Sequence, residues 1–104
     1  MVHHIENGQL VSEVINNENL VIVDFFATWC GPCQMLAPIL VEIDKKYDNV
    51  EVYKVDVDEN QDAAMRYQVT AMPTLVFFKN GKEVERQVGL LPQEELEALV
   101  QELQ

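Results

Sequence analysis

Apolar positions along this chain recur with two different periods, and the change from one to the other marks out its elements. Leu20-Val21-Ile22-Val23-Asp24-Phe25-Phe26 is nearly unbroken, β-branched and aromatic, as expected of a central strand covered on both faces. Asp24 is its one charge. Before it, Leu10, Val11, Val14 and Ile15 keep the spacing of a single helix face, entered through Asn7-Gly8-Gln9 and ending at Asn16-Asn17. After it, Met35, Leu36, Ile39, Leu40 and Ile43 recur at helical intervals between Gln34 and Tyr47. Pro38 falls inside that pattern, where its ring removes a hydrogen bond and crowds the preceding turn, so a kink is expected there.

Val50 to Val55 has strand character, and the acidic stretch from Asp56 to Asp62 reads as a loop entering a short helix around Ala63 to Tyr67. Strands separated by helices are expected to run parallel, with right-handed crossovers. Thr74 to Lys79, Asn80-Gly81 and Lys82 to Val88 then read as strand, turn and strand, because Asn-Gly supplies the two left-handed residues of a tight hairpin. The second of these strands alternates polar and apolar, which suits a sheet edge with one wet face. Pro92, followed by Gln93, Glu94 and Glu95, opens a last helix whose Leu96, Leu99, Val100 and Leu103 face inward. No linker or repeat interrupts the pattern, so residues 1–104 read as a single α/β domain.

Composition supports this and narrows the function. A chain of 104 residues with 48% hydrophobic content is able to bury a core of its own. No apolar run approaches the roughly 20 residues that span a bilayer. The start, Met1-Val2-His3-His4-Ile5-Glu6, lacks the basic head, long apolar stretch and small-residue cleavage site of a signal peptide. A soluble, cytoplasmic chain with no membrane partner is expected. Seven basic residues stand against eighteen acidic ones, a net charge of −11, and binding nucleic acid needs clustered Lys and Arg, so no nucleic-acid partner is expected.

Both cysteines lie in Trp29-Cys30-Gly31-Pro32-Cys33, where the central strand ends and a helix opens. Two intervening residues bring the sulfurs close enough to bond. A helix starting at Cys30 sets its sulfur among unpaired backbone N–H groups at the positive end of the helix dipole, which favours a thiolate. Pro32 fits the first turn, where its missing N–H costs nothing, and Gly31 is expected to let the backbone bend tightly between the sulfurs. A purely structural staple is the duller alternative, yet loop-closure entropy gives so short a loop only roughly 2 kcal/mol. A zinc site takes about four ligands. His3 and His4 are the only other nitrogen or sulfur donors of that kind, distant in sequence and read as exposed terminal residues. No metal is expected.

Taken together, Asp24, Trp29-Cys30-Gly31-Pro32-Cys33, Ala37-Pro38, Lys54, Met72-Pro73-Thr74, Phe78-Lys79-Asn80-Gly81 and Gly89 span nearly the whole chain, and with them it resembles the thioredoxin family. The resemblance implies a mixed five-stranded sheet flanked by four helices. It also implies a general reductase of protein disulfides, a monomer with no bound cofactor, whose redox group is the Cys30–Cys33 disulfide. Its partners would be client proteins with disulfides and a thioredoxin reductase that recharges it at the expense of NADPH. Three positions depart from the common pattern: Gln34 where Lys or Arg often follows the second cysteine, Phe26 where Trp is frequent, and Met72 where Ile or Val is usual. An oxidase or isomerase of the same fold is one alternative, against which Gly31-Pro32 argues by resemblance. A non-catalytic interaction module that retains the motif is another.

In the redox reading Cys30, nearer the exposed helix start, attacks a client disulfide, and the deeper Cys33 resolves the mixed disulfide. Asp24 is the candidate proton acceptor for Cys33, because a carboxylate in an apolar strand is costly to bury and has its pKa raised toward neutrality. An ion pair with Lys54, which the resemblance places nearby, is the competing role. The resemblance also implies that Met72-Pro73 is cis and lies beside the cysteines, leaving the Met72 backbone free to pair with an extended client segment. Trp29, Gly31, Pro32, Gly89 and Leu90 would complete a shallow apolar docking surface, with core packing the alternative for Trp29 and Leu90.

Overall fold

The computed structural model describes residues 1–5 and 11–104. Among them the chain runs β1 (Val2–His4), α1 (Val11–Val14), β2 (Leu20–Phe26), α2 (Gly31–Lys46), β3 (Val50–Asp56), α3 (Gln61–Arg66), β4 (Thr74–Lys79), β5 (Lys82–Val88) and α4 (Gln93–Leu103). The strands form one sheet in the order β1-β3-β2-β4-β5. β1 and β2 run parallel to β3, while β4 is antiparallel to both β2 and β5. The expected mixed five-stranded sheet with four helices is therefore present.

β2 lies at the centre, and every residue from Leu20 to Phe25 is buried. Alternation along the strand divides the core into two layers. Val21, Val23 and Phe25 pack with Val11, Val14 and Ile15 beside α1 and with Val55, Val76 and Phe78 of neighbouring strands. Leu20 and Ile22 pack on the opposite face with Leu36, Leu40 and Ile43 of α2, and with Leu96 and Val100 of α4. Asp24 has the same parity as Leu20 and Ile22, so it points to the face that α2 covers. Pro38 is accommodated inside α2, which runs on to Lys46. Of the residues expected on the first helix, 7–10 lie outside the described residues.

β4 departs from the expectation that helix-separated strands run parallel. The chain re-enters the sheet at the end where β3 left it, and Thr74 pairs with Phe25 at the C-terminal end of β2. That return carries residues 71–73 to the end of the sheet where β2 hands over to the cysteines.

Two other readings need correction. His3 and His4, expected as exposed terminal residues, lie in strand β1, paired with Tyr53 and Lys54; His4 is exposed as expected, while His3 is half-buried, its ring stacked on Tyr53 with centroids 4.7 Å apart. Three residues are too few to show a period, so the pattern of apolar positions missed this strand. β5 does lie at an edge, but neither of its faces is buried: Val84 is 44% and Val88 63% exposed. The ladder slips between Phe77 and Phe78, which face Glu85 and Glu83, leaving Val84 as an extra residue in a bulge that disfavours pairing with another edge. The hairpin turn is as expected, with Asn80 and Gly81 at φ 52° and 82°.

Candidate active site

β2 delivers the chain into Ala27-Thr28-Trp29, and Cys30 closes this turn by donating its N–H to the Ala27 carbonyl at 3.2 Å. Cys30 is the N-cap of α2, with extended backbone, and its Sγ accepts a hydrogen bond from the Cys33 N–H at 3.2 Å. The two cysteines form a disulfide with Cα atoms 5.3 Å apart. Both cysteines are buried, Cys30 at 6% and Cys33 at 3% exposure. Pro32 sits in the first turn as expected.

Gly31 has a different role from the one expected. It begins the helix proper, and a Cβ placed on it would meet nothing within 4 Å. Its backbone lies outside the left-handed region, so the turn between the sulfurs does not require a glycine. What Gly31 contributes is bare, exposed backbone next to Cys30.

The cis Met72–Pro73 bond stands beside the disulfide, with the Met72 carbonyl oxygen 3.7 Å from Cys30 Sγ. Once Cys30 is reduced, its S–H can donate to that oxygen. Pro73 is buried, and its carbonyl accepts from the Gly89 N–H at 2.8 Å. Gly89 has φ 93°, a conformation in which glycine is favoured. Leu90 follows, 41% exposed, and joins Met35, Ile39, Leu91 and Pro92 around a shallow apolar pocket.

Trp29 is 68% exposed, so neither it nor Leu90 is core. Its indole N–H donates to Asp58 Oδ2 at 2.8 Å. Sequence reasoning missed Asp58. The available signal was Asp56-x-Asp58, where the Asp56 carboxylate caps the Asp58 N–H at 2.9 Å in a local turn. That spacing predicts the turn and gives no hint of its distant partner.

Asp24 is fully buried, and neither of its carboxylate oxygens receives a hydrogen bond from a described residue. Lys54, its neighbour in register on β3, holds Nζ 3.9 Å from Oδ2 and 4.6 Å from the centre of the Phe26 ring. Desolvation pushes the Asp24 pKa from 3.8 up to about 6, and the Lys54 charge opposes this without cancelling it. The acid and the ion-pair partner are thus one arrangement seen at two pH values. Below about pH 6 the group is a neutral acid, and above it a carboxylate facing an ammonium at long range.

Chemically, this is a reversible dithiol–disulfide couple at a helix N-terminus, with an exposed apolar rim and a buried acid on the sheet face beneath α2. Among the described residues no group of three or more His, Cys, Asp and Glu side chains is placed to hold a metal ion. Among them, too, no helix is long and apolar enough to cross a membrane. The family model named Thioredoxin matches residues 1–102. The chain is 47% identical over 92 residues to Thioredoxin-1 of Saccharomyces cerevisiae, an alignment covering 88% of this chain and 89% of that protein. It is 46% identical over 105 residues to thioredoxin of Ovis aries, with 99% of each covered. The X-ray structure of Fasciola hepatica thioredoxin superposes with a TM-score of 0.90 at 41% identity, covering 99% of this chain and 100% of that one.

Proposed function

The chain belongs to the thioredoxin family, and from that premise we infer how the residues around its Cys30–Cys33 disulfide divide the work of a protein-disulfide reductase. In the reduced protein the Cys30 thiolate attacks one sulfur of a client disulfide. The client S–S bond breaks, a Cys30–client mixed disulfide forms, and the first client sulfur leaves as a thiolate. The Cys33 thiolate then attacks Cys30 Sγ, closing the Cys30–Cys33 disulfide and releasing the second client sulfur. Two electrons pass from the protein's dithiol to the client. The observation that carries this assignment is the placement of Cys30 as N-cap of α2, its Sγ held by the Cys33 N–H.

Asp24 takes the Cys33 proton in the resolving step. Its support is burial on the face covered by α2 and a pKa of about 6, which makes it a base at neutral pH. Lys54 stabilises the carboxylate once formed. Trp29, Gly31, Pro32, Met72, Pro73, Gly89 and Leu90 form the client docking surface, with the Met72 backbone pairing to an extended segment. A thioredoxin reductase drawing on NADPH restores the dithiol. The protein acts as a monomeric single domain in the cytoplasm, where glutathione and its own reductase keep such a dithiol reduced. Turnover of an insulin-like disulfide with a dithiol donor tests this reading, since an interaction module would not turn over. A redox titration separates reductase from oxidase.

A further inference from the structure

Gln34 is the departure from the family pattern that directly follows the second cysteine. It makes two hydrogen bonds back across the motif: its backbone N–H donates to the Cys30 carbonyl at 3.2 Å, and its side-chain Nε2 to the Thr28 carbonyl at 3.1 Å. The side-chain bond spans Trp29 to Cys33 and closes the segment from Thr28 to Gln34 into a ring that does not depend on the disulfide. No charged side chain stands in the first turn of α2, whose residues are Gly31, Pro32, Cys33 and Gln34. The ionisable groups on the segments that lead to it are Asp58, hydrogen-bonded to Trp29, and the buried Asp24 of β2, paired with Lys54 of β3.

We propose that Gln34 is a positioning residue for the reductase chemistry, a neutral clasp that keeps Cys30 Sγ on the Cys33 N–H after the disulfide has opened. In the oxidised protein the covalent bond already fixes the two sulfurs. In the reduced protein that constraint is gone, and the Cys30 thiolate keeps its N–H partner only while the turn from Thr28 stays folded onto the helix. The clasp therefore favours the reduced form over the oxidised one, and favours the thiolate within the reduced form. Where a Lys or Arg at this position would add charge, Gln34 adds geometry. This rests on the assignment of Cys30 as nucleophile.

The test is the pH profile of alkylation of the fully reduced protein by iodoacetamide, with the modified cysteine identified by peptide mass, alongside the redox potential. Gln34→Met keeps the length and removes the donor, Gln34→Ala removes the side chain, and Gln34→Lys restores a donor. In Met and Ala variants the midpoint of Cys30 alkylation should move to higher pH. The dithiol–disulfide equilibrium should shift about two- to tenfold away from the reduced form, the range for one intramolecular hydrogen bond. This makes the potential about 10 to 30 mV more negative. Gln34→Lys should return both to the wild-type value or past it. A side chain that merely stabilised the fold would act on both redox states alike and move neither quantity. If Cys30 alkylates in Gln34→Met with the wild-type midpoint and potential, the clasp is overturned while the nucleophile stands. If Cys33 is the residue alkylated at neutral pH, the nucleophile assignment fails and the proposal with it.

Discussion

Lys54 Nζ stands 3.9 Å from Asp24 Oδ2 on the neighbouring strand, yet Asp24 keeps its proton up to about pH 6. The ammonium is too far away to make a hydrogen bond, and no other described group offers one, so the cost of burying the carboxylate outweighs the attraction. In the unfolded chain Asp24 ionises with a pKa near 3.9. Between the two values the native state binds more protons than the unfolded state, so stability falls as pH rises through that window. With about 1.4 kcal/mol for each pH unit between them, wild type should lose roughly 3 kcal/mol between pH 4 and pH 8 on account of this group. Denaturant melts of wild type and Asp24→Asn at both values check this. The variant should lack that part of the dependence, be more stable at pH 8, and release reduced client more slowly.

Lys54→Met should steepen the same dependence. Without the ammonium the buried carboxylate loses the favourable charge of Lys54, its pKa rises further, and stability at pH 8 falls while stability at pH 4 changes less. Melts at the two pH values read this directly. An equal loss at both would show that Lys54 acts through packing over Phe26 and not through Asp24.

Gly89 and Gly31 should respond differently to alanine. Gly89 sits at φ 93°, so Gly89→Ala should cost about 1–2 kcal/mol in backbone strain although its Cβ would touch nothing. Gly31 opens a helix in ordinary conformation, so Gly31→Ala should be neutral or stabilise by up to about 1 kcal/mol. Comparing urea midpoints of the two variants measures the difference.

Asp58→Ala should free the Trp29 indole, changing its fluorescence and lowering kcat/KM for a protein disulfide by about two- to tenfold, as expected for one lost hydrogen bond. Asp58→Asn keeps an acceptor oxygen and should stay near wild type. Reduction of a small aromatic disulfide, which needs little docking, should be less affected in both.

Much of this was legible in the sequence because it rests on local patterns. The run from Leu20 to Phe26 gave β2, helical spacing after Gln34 gave α2, and Asn80-Gly81 gave the hairpin. Asp24 stood out because a charge in such a run has to be accounted for. The features that were not legible depend on tertiary placement. β1 is too short for any period and forms because β3 offers it an edge. The direction of β4 is set by where the chain re-enters the sheet, at the C-terminal end of β2, which periodicity does not reveal. Asp58 and the Gln34 side chain act through partners fixed only by the folded loops, at Trp29 and at the Thr28 carbonyl.

The division of labour between the two cysteines is tested most directly by mixing reduced Cys33→Ser protein with a disulfide-bonded client and locating the trapped mixed disulfide by peptide mass spectrometry. Cys30 should be found joined to a client cysteine in a long-lived adduct, because the sulfur that would resolve it is missing, and Cys30→Ser should form no such adduct and show no reductase turnover. An adduct formed by Cys30→Ser through Cys33, or full client turnover by Cys33→Ser, would contradict the assignment of Cys30 as the attacking sulfur.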